Sequence, residues 1–305
     1  MRVEDILAHP PKALTQEQRE FYFENGYLLV ENFLSEAWLE RLWQVTNDFI
    51  EQSRSRTESD SVFDLERGHS ADNPRLRRLS FPTEQHPLYR DFAANGPIVD
   101  AAEDLVGPDV KFHHSKLNFK WADGGEEVKW HQDIQFWPHT NYSPLTIGVY
   151  MDDVDDEMGP MGVIPGSHNG ELFDLYGDDG QWTGAIKDRD LPRIALDKAA
   201  YLKGPRGSIT IHNCRTIHGS MPNDSRRSRP LLLHTYASAD ALHITNLTDR
   251  FQFSNVIVRG QPARWIHFDP RPCLIPPDWS KGYSSIFALQ QEEEAAGQGG
   301  RDKAC

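Results

Sequence analysis

The stretch WHQDIQFWP, residues 130–138, places a histidine and an aspartate two positions apart within a run of large aromatic side chains. In a β-strand, residues i and i+2 point to the same side of the sheet. A strand through this stretch therefore directs His131 and Asp133 to one face and Gln132 to the other. Such a pair binds a metal ion only if a third ligand comes from elsewhere; without one, it is a structural hydrogen-bond pair.

The sequence around this stretch predicts a protein made mainly of β-strands. From about residue 110 onward, short runs rich in β-branched and aromatic residues alternate with turn residues. The predicted strands are VKFHHSKLNFKW, EVKWHQDI, PLTIGVYM, MGVIPG, GSITIHN and PLLLHTYAS. Many short strands at this spacing are typical of a jelly roll or a barrel.

Two capped helices and one strand are predicted near the N-terminus. Thr15 caps a helix that ends at Gly26, and the segment YLLVENF then forms a strand. Ser35 caps a second helix. Apolar residues recur in it at helical spacing and build one face, formed by Trp38, Leu39, Leu42, Val45, Phe49 and Ile50. The expected fold class is therefore mainly β with flanking helices.

Segments without a clear period divide the rest of the chain. Residues 51–75 are polar and predict a long loop, and residues 169–200 form an insertion that could fold over a site. Residues 291–305 have the composition of a frayed, disordered tail. We expect residues 1–290 to form a single domain, because large β-barrel and sandwich enzymes reach this length as one unit.

The charge balance restricts the kind of partner. The 305 residues include 32 lysines and arginines against 46 acidic residues, which gives a net charge of -14. This balance argues against a nucleic-acid groove or an anionic membrane surface as the main partner. Two short basic clusters remain, RLRR at 75–78 and RRSR at 226–229. The first is predicted to be a solvated loop, and the second leaves room for a small anionic ligand.

The cysteines and the N-terminus indicate a cytoplasmic protein. Cys214, Cys273 and Cys305 have no metal-type spacing and leave one unpaired if two are joined, which fits reduced thiols. The N-terminal segment lacks an apolar signal region, and no apolar run approaches the ~18 residues of a membrane span. The oligomeric state is not indicated by the sequence.

A third candidate ligand occurs in the segment IHGSMPNDSRRSRPLLLHTY, which supplies His218 near a predicted strand end. Two neutral imidazoles and one carboxylate on one side of a metal form the facial triad of non-haem Fe(II) oxygenases, which leaves positions open for cosubstrate and dioxygen. A structural zinc site would want four protein ligands, usually including cysteine. The candidate metal ligands are therefore His131, Asp133 and His218.

Other histidines have alternative interpretations. His113 and His114 are neighbours on a predicted strand, so only one of them is expected to face the site. His168 lies in a PGSH turn and is predicted to be a structural hydrogen bonder. His212 and His234 lie on predicted core strands and could neighbour the metal.

In combination, these motifs resemble the phytanoyl-CoA dioxygenase family of Fe(II)- and 2-oxoglutarate-dependent oxygenases. The resemblance rests on WHQDIQFWP, on GPMGVIPGSHNG at 159–170 and on IHGS at 217–220, and it spans most of residues 15–240. It implies a double-stranded β-helix, which is a cupin-like jelly roll. It also implies Fe(II) as the metal, 2-oxoglutarate as cosubstrate and dioxygen as the oxidant.

The resemblance also assigns cosubstrate residues. Arg229 lies eleven positions after His218, where the family's arginine pairs with the distal carboxylate of 2-oxoglutarate. The planar guanidinium suits this role because it matches a carboxylate bidentately. Ser220 matches the family's small hydroxyl residue that helps to hold the same group. Three weaker correspondences place Lys116, Tyr150 and Arg78 around the cosubstrate.

The expected reaction is hydroxylation, or another oxidation, of an unactivated C–H bond in a small-molecule metabolite, with release of succinate and carbon dioxide. Asp133 favours hydroxylation, because related halogenating enzymes have glycine or alanine at this position. Phe136 and Trp137 are candidates for walls of the substrate pocket, although core packing explains each equally well. An acidic chain offers no obvious cradle for the phosphates of a CoA thioester, so a free metabolite is expected.

Two alternatives stay open from the sequence. The first is a cupin-like metal-dependent isomerase or hydrolase, which would need neither Arg229 nor 2-oxoglutarate. The second is a non-catalytic binding protein of the same fold. Both would keep a jelly roll, so the fold alone does not separate them from the dioxygenase.

Overall fold

The computed structural model describes residues 1–122, 125–245, 252–278, 285–287 and 289–290. Within these residues the chain forms two antiparallel sheets that are flanked by helices. The helices are α1 (Val3–Ala8), α2 (Gln16–Asn25), α3 (Glu36–Ser53), α4 (Pro82–Gln85), α5 (Pro87–Asn95) and α6 (Pro97–Val106). The mainly β architecture that the sequence predicts is confirmed.

The strands fall into a large and a small sheet. In chain order they are β1 (Tyr27–Val30), β2 (Phe63–Leu65), β3 (Leu76–Ser80), β4 (Val110–Lys120), β5 (Val128–His131), β6 (Leu145–Tyr150), β7 (Met161–Val163), β8 (Ala200–Leu202), β9 (Ile209–Asn213), β10 (His218–Ser220), β11 (Arg229–Ser238) and β12 (Ile257–Arg259). The large sheet runs in the order β1, β9, β6, β11, β4, β3, β2, with β12 beside β4. The small sheet runs β5, β10, β7, β8.

The helices cover the outer face of the large sheet. Alternate residues of β11, among them Leu232 and Tyr236, pack with Leu42 and Phe49 of α3 and with Phe92 of α5 in one buried apolar cluster. Because side chains alternate along a strand, the other half of β11 faces the small sheet. The inner faces of the two sheets therefore enclose the interior of a barrel.

The predicted N-terminal elements are confirmed. Thr15 and Gln18 form a reciprocal capping box at the start of α2, and Gly26 ends this helix with φ of 80°. A left-handed residue is the usual way to end a helix, and glycine adopts this conformation without a Cβ clash. Helix α3 buries Leu39 and Leu42 as its spacing predicts, although the side chain of its N-cap residue makes no capping hydrogen bond.

The strand that carries the metal motif is shorter than predicted. Strand β5 ends at His131, and Asp133 begins a short 3-10 turn. Gln132 between them still has extended backbone angles, with φ of -130° and ψ of 123°. The direction of successive side chains therefore still alternates through Gln132. As expected, the side chain of Asp133 points to the same side of the strand as that of His131.

The predicted loop at 51–75 and the predicted solvated cluster at 75–78 are both wrong in part. The first contains strand β2, and most of the second lies in the buried strand β3. Arg77 is buried and forms ion pairs with Asp64 at 2.7 Å and Glu126 at 2.8 Å. These carboxylates compensate its charge, and paired arginine is tolerated inside a protein where a lone one is not.

The insertion at 169–200 packs against the metal-bearing stretch. The backbone N–H of Ile186 donates to the carbonyl of Trp130 at 2.8 Å. Phe173 and Leu175 share a buried apolar cluster with Ile134. This segment therefore lies against the stretch that carries His131 and Asp133, in agreement with the expectation that it folds over a site.

The described residues cover only part of the C-terminal end of the expected domain. The predicted tail at 291–305 lies outside the described residues, so its disorder stays a prediction, as does a single domain over 1–290. None of the helices in the described part of the chain combines the length and the apolar character needed to cross a membrane.

Candidate metal centre and cosubstrate pocket

Three predicted ligands meet where the small sheet ends. Strands β5 and β10 are antiparallel, and their register places His131 directly opposite His218. The two rings lie 4.2 Å apart between centroids. Oδ1 of Asp133 is 3.7 Å from Nε2 of His131 and 3.9 Å from Nε2 of His218. One ligand atom from each of the three residues lies within 4.8 Å of the others, so a single ion fits among them.

The backbone fixes the orientation of both imidazoles. Nδ1 of His131 lies 2.8 Å from the carbonyl of Lys129, and Nδ1 of His218 lies 2.9 Å from the carbonyl of Thr216. A carbonyl only accepts, so each Nδ1 is the donor and carries the proton of the neutral ring. Each Nε2 then presents a lone pair toward Asp133, which is how a metal-binding histidine is held.

Asp133 is buried and surrounded by groups that stabilise its charge. Lys116 Nζ lies 3.9 Å from Oδ1, while His212 Nε2 and Thr146 Oγ1 each lie 3.4 Å from Oδ2. Burial would raise the pKa of Asp133, but the charge of Lys116 and the contacts with His131 and His212 hold it well below its ordinary value. The carboxylate is therefore ionised at neutral pH.

The distal histidine is kept neutral. Burial, followed by the neighbouring rings of His131 and His212, holds the pKa of His218 well below its ordinary value. A neutral imidazole keeps its lone pair, which a metal ion needs. Two neutral imidazoles and one carboxylate form the donor set of a facial triad, and these residues fit Fe(II).

The other histidines divide between the site and the core. His212 does neighbour the candidate metal ligands, because it contacts Asp133. The expectation for His234 is wrong: its ring lies on the helix side of β11, 5.5 Å from the ring of Phe92. His168 is a structural hydrogen bonder as predicted, since Nε2 lies 3.1 Å from a backbone carbonyl of α2.

His113 and His114 do not alternate as a regular strand requires. The register of β4 against β11 shifts at this point, so His113 is the extra residue of a β-bulge. The two Nδ1 atoms are 2.7 Å apart, and both rings contact Trp137, with centroids at 5.4 Å and 5.8 Å. Asp133 and Lys116 act on the pKa of His114, whereas His113 packs against His139 and His243, so only one of the two rings faces the triad, as expected.

A second charged group lies at the other end of the barrel. Arg229 begins β11, directly opposite Lys120 of β4, and is only 4% exposed. Its Nη1 donates to the carbonyl of Gly159 at 2.6 Å. Lys120 Nζ donates to the carbonyls of Ser220, at 3.1 Å, and Met221. Two basic side chains are thus held side by side by carbonyl oxygens.

The turn that supplies the carbonyl to Arg229 depends on glycine. Gly159 has φ of 61°, and a Cβ added there would lie 2.2 Å from the carbonyl oxygen of Met221. No side chain fits so close to a backbone atom. The EMGPMG segment at 157–162 therefore forms a tight turn that approaches the backbone after β10.

The remaining predicted cosubstrate residues occupy two places. Tyr150 is fully buried on the inner face of β6, donates its hydroxyl to the carbonyl of Leu202 and lies near Arg229. Lys116 lies instead at the metal end, beside Asp133. Arg78 is buried on β3, in the strand next to β4.

Sequence reasoning missed Lys120. It is 1% exposed, and burial followed by the charge of Arg229 lowers its pKa well below the ordinary value. The signal was present in the strand pattern, because His114, Lys116 and Lys120 fall at even spacings in HHSKLNFK. Even spacing puts all of them on the inner face of β4.

Phe136 and Trp137, the aromatic pair after Asp133, point in different directions. Phe136 packs edge-on against His131, with ring centroids 5.9 Å apart, and against Trp182 of the insertion at 5.5 Å. Trp137 packs against the ring of His139 at 5.6 Å. Phe136 therefore backs a metal ligand, while Trp137 lies on the side of the paired histidines.

A jelly roll with this donor set defines the class of non-haem Fe(II) oxygenases. Within this class, the model of the family described as Phytanoyl-CoA dioxygenase (PhyH) matches residues 22–231. Because the match covers more than half of the chain, the protein belongs to this family. The resemblance that the sequence motifs suggested is confirmed.

Individual relatives agree with this placement. A protein of Stutzerimonas stutzeri named "Probable alpha-ketoglutarate-dependent hypophosphite dioxygenase" is 31% identical over 279 residues, covering 90% of this chain and 96% of the relative. The crystal structure of EctD from S. alaskensis with bound Fe has a TM-score of 0.63 at 21% identity, covering 76% of this chain and 79% of that one. The same protein with 2-oxoglutarate and 5-hydroxyectoine has a TM-score of 0.61 at 21% identity, covering 77% and 80%.

The comparisons confirm the fold class and the enzyme class. The chain is a double-stranded β-helix, and it is a 2-oxoglutarate-dependent non-haem iron dioxygenase that uses Fe(II), 2-oxoglutarate and dioxygen. The isomerase, hydrolase and binding-protein alternatives therefore give way to an oxygenase.

Proposed function

We propose that this dioxygenase binds Fe(II) through His131, Asp133 and His218 and hydroxylates a small free molecule. The support is the meeting of the three donor atoms and the backbone hydrogen bonds that aim both imidazoles. When bound, Fe(II) and 2-oxoglutarate supply the chemistry that activates dioxygen. The retained carboxylate of Asp133 favours hydroxylation over halogenation.

The observation that carries the cosubstrate site is the burial of Arg229 without a counter-ion. Its guanidinium is 4% exposed, and no carboxylate among the described residues pairs with it. Its Nε is buried and has no hydrogen-bond partner there. A buried cation without an anion is strongly destabilising, so the site favours an anionic ligand. The distal carboxylate of 2-oxoglutarate supplies that charge, and the planar guanidinium matches it.

The neighbours of Arg229 support the same role. Lys120 is a second buried basic group, and a carboxylate between it and Arg229 would favour its protonated form. Ser220 is carried by the strand whose end supplies a carbonyl to Lys120, and Tyr150 lies near Arg229. We include Ser220 and Tyr150 in the cosubstrate pocket. The cosubstrate roles that the resemblance gives to Lys116 and Arg78 stay predictions.

The protein's remaining task is to orient the reactants and to keep water out. Phe136 covers one side of His131, and the insertion packs over the same stretch through Trp182 and Ile186. Trp137 is proposed to wall the substrate pocket on the side of His114. A hydroxylating site needs such walls because a reactive oxidant attacks whatever lies nearest.

The substrate is proposed to be a small free molecule and not a CoA thioester. A CoA moiety carries several phosphate charges, and its binding site needs basic side chains that are not already paired with carboxylates. Of the two basic clusters, Arg77 is already paired with Asp64 and Glu126, and Arg227 is paired with Asp155 at 2.7 Å. The relative named for hypophosphite also points to a small substrate, in that case an oxyanion that contains no carbon.

We also propose a reducing compartment such as the cytoplasm. Cys214 is buried, Cys273 is half-buried, and both are free thiols. Burial raises the pKa of each, Cys273 to about 11, so both stay protonated and unreactive. Cys305 lies outside the described residues.

The test compares two arginines of the same segment. Anaerobic addition of Fe(II) and 2-oxoglutarate should produce a metal-to-ligand charge-transfer band in the wild type, and its titration gives the cosubstrate affinity. Arg229→Met should weaken this affinity roughly ten- to a hundredfold, because a charge-assisted hydrogen bond is lost. Arg227→Met is the matched control, since Arg227 is exposed and paired at the surface. Equal affinities in the two variants would remove Arg229 from the site.

A further inference from the structure

The inner face of β4 continues past the metal end of the barrel. Lys120 lies opposite Arg229 in the strand register, and Lys116 and His114 follow further along β4 at even spacing. Lys120 belongs to the proposed cosubstrate pocket and Lys116 lies beside Asp133. The row therefore leads from the cosubstrate end, past the metal ligands, to His114.

Lys116 is a largely buried cation that is only partly satisfied. Its side chain is 17% exposed, and its nearest carboxylate is Asp133, with Nζ 3.9 Å from Oδ1. Among the described residues its Nζ forms no hydrogen bond. An ammonium group holds three donors, and leaving them unmade in a buried site is costly. Asp133 does not fully compensate the charge of Lys116, because its carboxylate is also a candidate ligand of the metal.

His114 and Trp137 lie next along this row. Their ring centroids are 5.8 Å apart with the planes at 66°, an edge-to-face contact. Nδ1 of His114 is bonded to Nδ1 of His113 at 2.7 Å, so Nε2 is the nitrogen left for a ligand. Trp137 follows Asp133 by four residues. An ammonium, an imidazole nitrogen and an indole wall thus lie together at the metal end.

The charges at this end do not balance without another anion. Fe(II) brings two positive charges and Lys116 a third, while Asp133 and the chelating carboxylate of 2-oxoglutarate bring one negative charge each. The distal carboxylate is already used at Arg229. These four groups leave one positive charge in a largely buried site, where an uncompensated charge is expensive, and Arg78, which acts on both Lys116 and His114, makes the surroundings more positive. A single negative charge on the substrate would neutralise the charge that these four groups leave.

We propose that Lys116, His114 and Trp137 form the subsite for an anionic group of the substrate. The substrate is then a small molecule with one carboxylate or one phosphorus oxyanion close to the bond that is oxidised. This inference rests on the proposed function, because it needs iron at the triad and 2-oxoglutarate at Arg229. It gives Lys116 a role in substrate binding that differs from the cosubstrate role implied by the resemblance.

The experiment measures anion binding without turnover. Wild-type protein is loaded anaerobically with Fe(II) and 2-oxoglutarate, and sodium hypophosphite, sodium propionate or neutral propionamide is titrated while the charge-transfer band is followed. At least one anion should shift the band saturably, and propionamide should not. A response to hypophosphite alone identifies a phosphorus oxyanion, and a response to propionate alone identifies a carboxylate.

The variants separate the substrate subsite from the cosubstrate pocket. Lys116→Met should weaken anion binding roughly ten- to a hundredfold, since a charge-assisted contact is lost, while Lys116→Arg should restore most of the affinity. The affinity for 2-oxoglutarate should change far less in Lys116→Met than in Arg229→Met. Lys198→Met, at an exposed position, is the surface control.

A second variant guards against a folding defect. His114→Gln keeps a hydrogen-bonding side chain at the same place and should weaken anion binding about three- to tenfold, as loss of one neutral hydrogen bond does. Thermal unfolding of each variant checks that it is folded.

Two results would overturn the subsite. One is a wild type that binds 2-oxoglutarate but responds to neither anion at about 10 mM, a concentration that detects even weak binding. The other is a Lys116→Met variant that loses affinity for 2-oxoglutarate and not for the anion, which returns Lys116 to the cosubstrate. A wild type that gives no charge-transfer band refutes the proposed function itself, and the subsite with it.

Discussion

Asp133 lies within 3.9 Å of Lys116, His131 and His218, whereas at the other end of the barrel Arg229 and Lys120 lie together with no carboxylate partner in the described residues. The first group is an anion among donors arranged for a metal cation. The second is a pair of cations held by carbonyl oxygens and arranged for an anion. One end of the barrel thus suits a metal cation and the other suits an anion. A dicarboxylate cosubstrate could span both ends, with one carboxylate chelating the metal and the other lying between Arg229 and Lys120.

The largest effect is expected from removing a ligand at the metal end. His131→Ala should weaken Fe(II) binding by roughly a hundredfold or more and abolish succinate formation, because no other described side chain replaces its Nε2. Fe(II) binding by equilibrium dialysis and succinate formation measure the two effects. His168→Ala is the control, since His168 is bonded to a backbone carbonyl away from the triad. Unchanged turnover in His131→Ala would refute the triad assignment.

A smaller effect is expected from Lys120→Met at the arginine end. Loss of one of two adjacent cations should weaken 2-oxoglutarate binding about tenfold, measured by titration of the charge-transfer band, and leave Fe(II) affinity unchanged.

Strand β4 supplies a matched control for this variant. Lys111 is also buried on β4 and also donates to a backbone carbonyl, that of Ala241. Lys111→Met should cost similar stability without changing cosubstrate affinity. If Lys120→Met and Lys111→Met weaken 2-oxoglutarate binding by the same factor, the effect of Lys120→Met comes from reduced stability. Lys120 would then not belong to an anion-binding end of the barrel.

The smallest effect concerns His234, on the outer face of the strand that begins with Arg229. Burial lowers its pKa to about 3, against about 6.5 in an unfolded chain. Between these values the unfolded state binds a proton that the folded state does not, so stability falls as pH falls below about 6.5. His234→Leu should remove this contribution.

The measurement for His234→Leu is urea unfolding at several pH values. The variant should gain stability relative to wild type by about 1.4 kcal/mol for each pH unit between roughly 6 and 4. Cosubstrate binding should be unaffected, because His234 faces the helices. Parallel stability curves for the two proteins would show that His234 is protonated in the fold.

The geometry of the candidate metal site was predicted from the sequence better than the rest because it is local. Two-residue alternation through Gln132 is enough to bring His131 and Asp133 together, and the short turn after β5 does not disturb it. His218 required a long-range pairing, and there a family resemblance was needed to choose it over His212, which also touches Asp133.

The misplaced elements depend on contacts that no local pattern contains. The cluster at 75–78 looks solvated because its carboxylate partners, Asp64 and Glu126, lie 13 and 49 positions away from Arg77. The bulge at His113 breaks the alternation that a regular strand predicts. Lys120 was missed for a different reason: a lysine at the end of a strand ordinarily points to solvent, although its even spacing from Lys116 places it on the inner face of β4.

The turn at Gly159 limits how this enzyme can be varied. The single hydrogen bond of Arg229 in the described residues ends on the carbonyl of a glycine for which no other amino acid fits. With Arg229 in the proposed role, substitutions at position 159 should therefore weaken 2-oxoglutarate binding while Fe(II) binding persists. Engineers who wish to alter the substrate are better served by the insertion at 169–200, which contacts the reactive stretch without supporting the arginine.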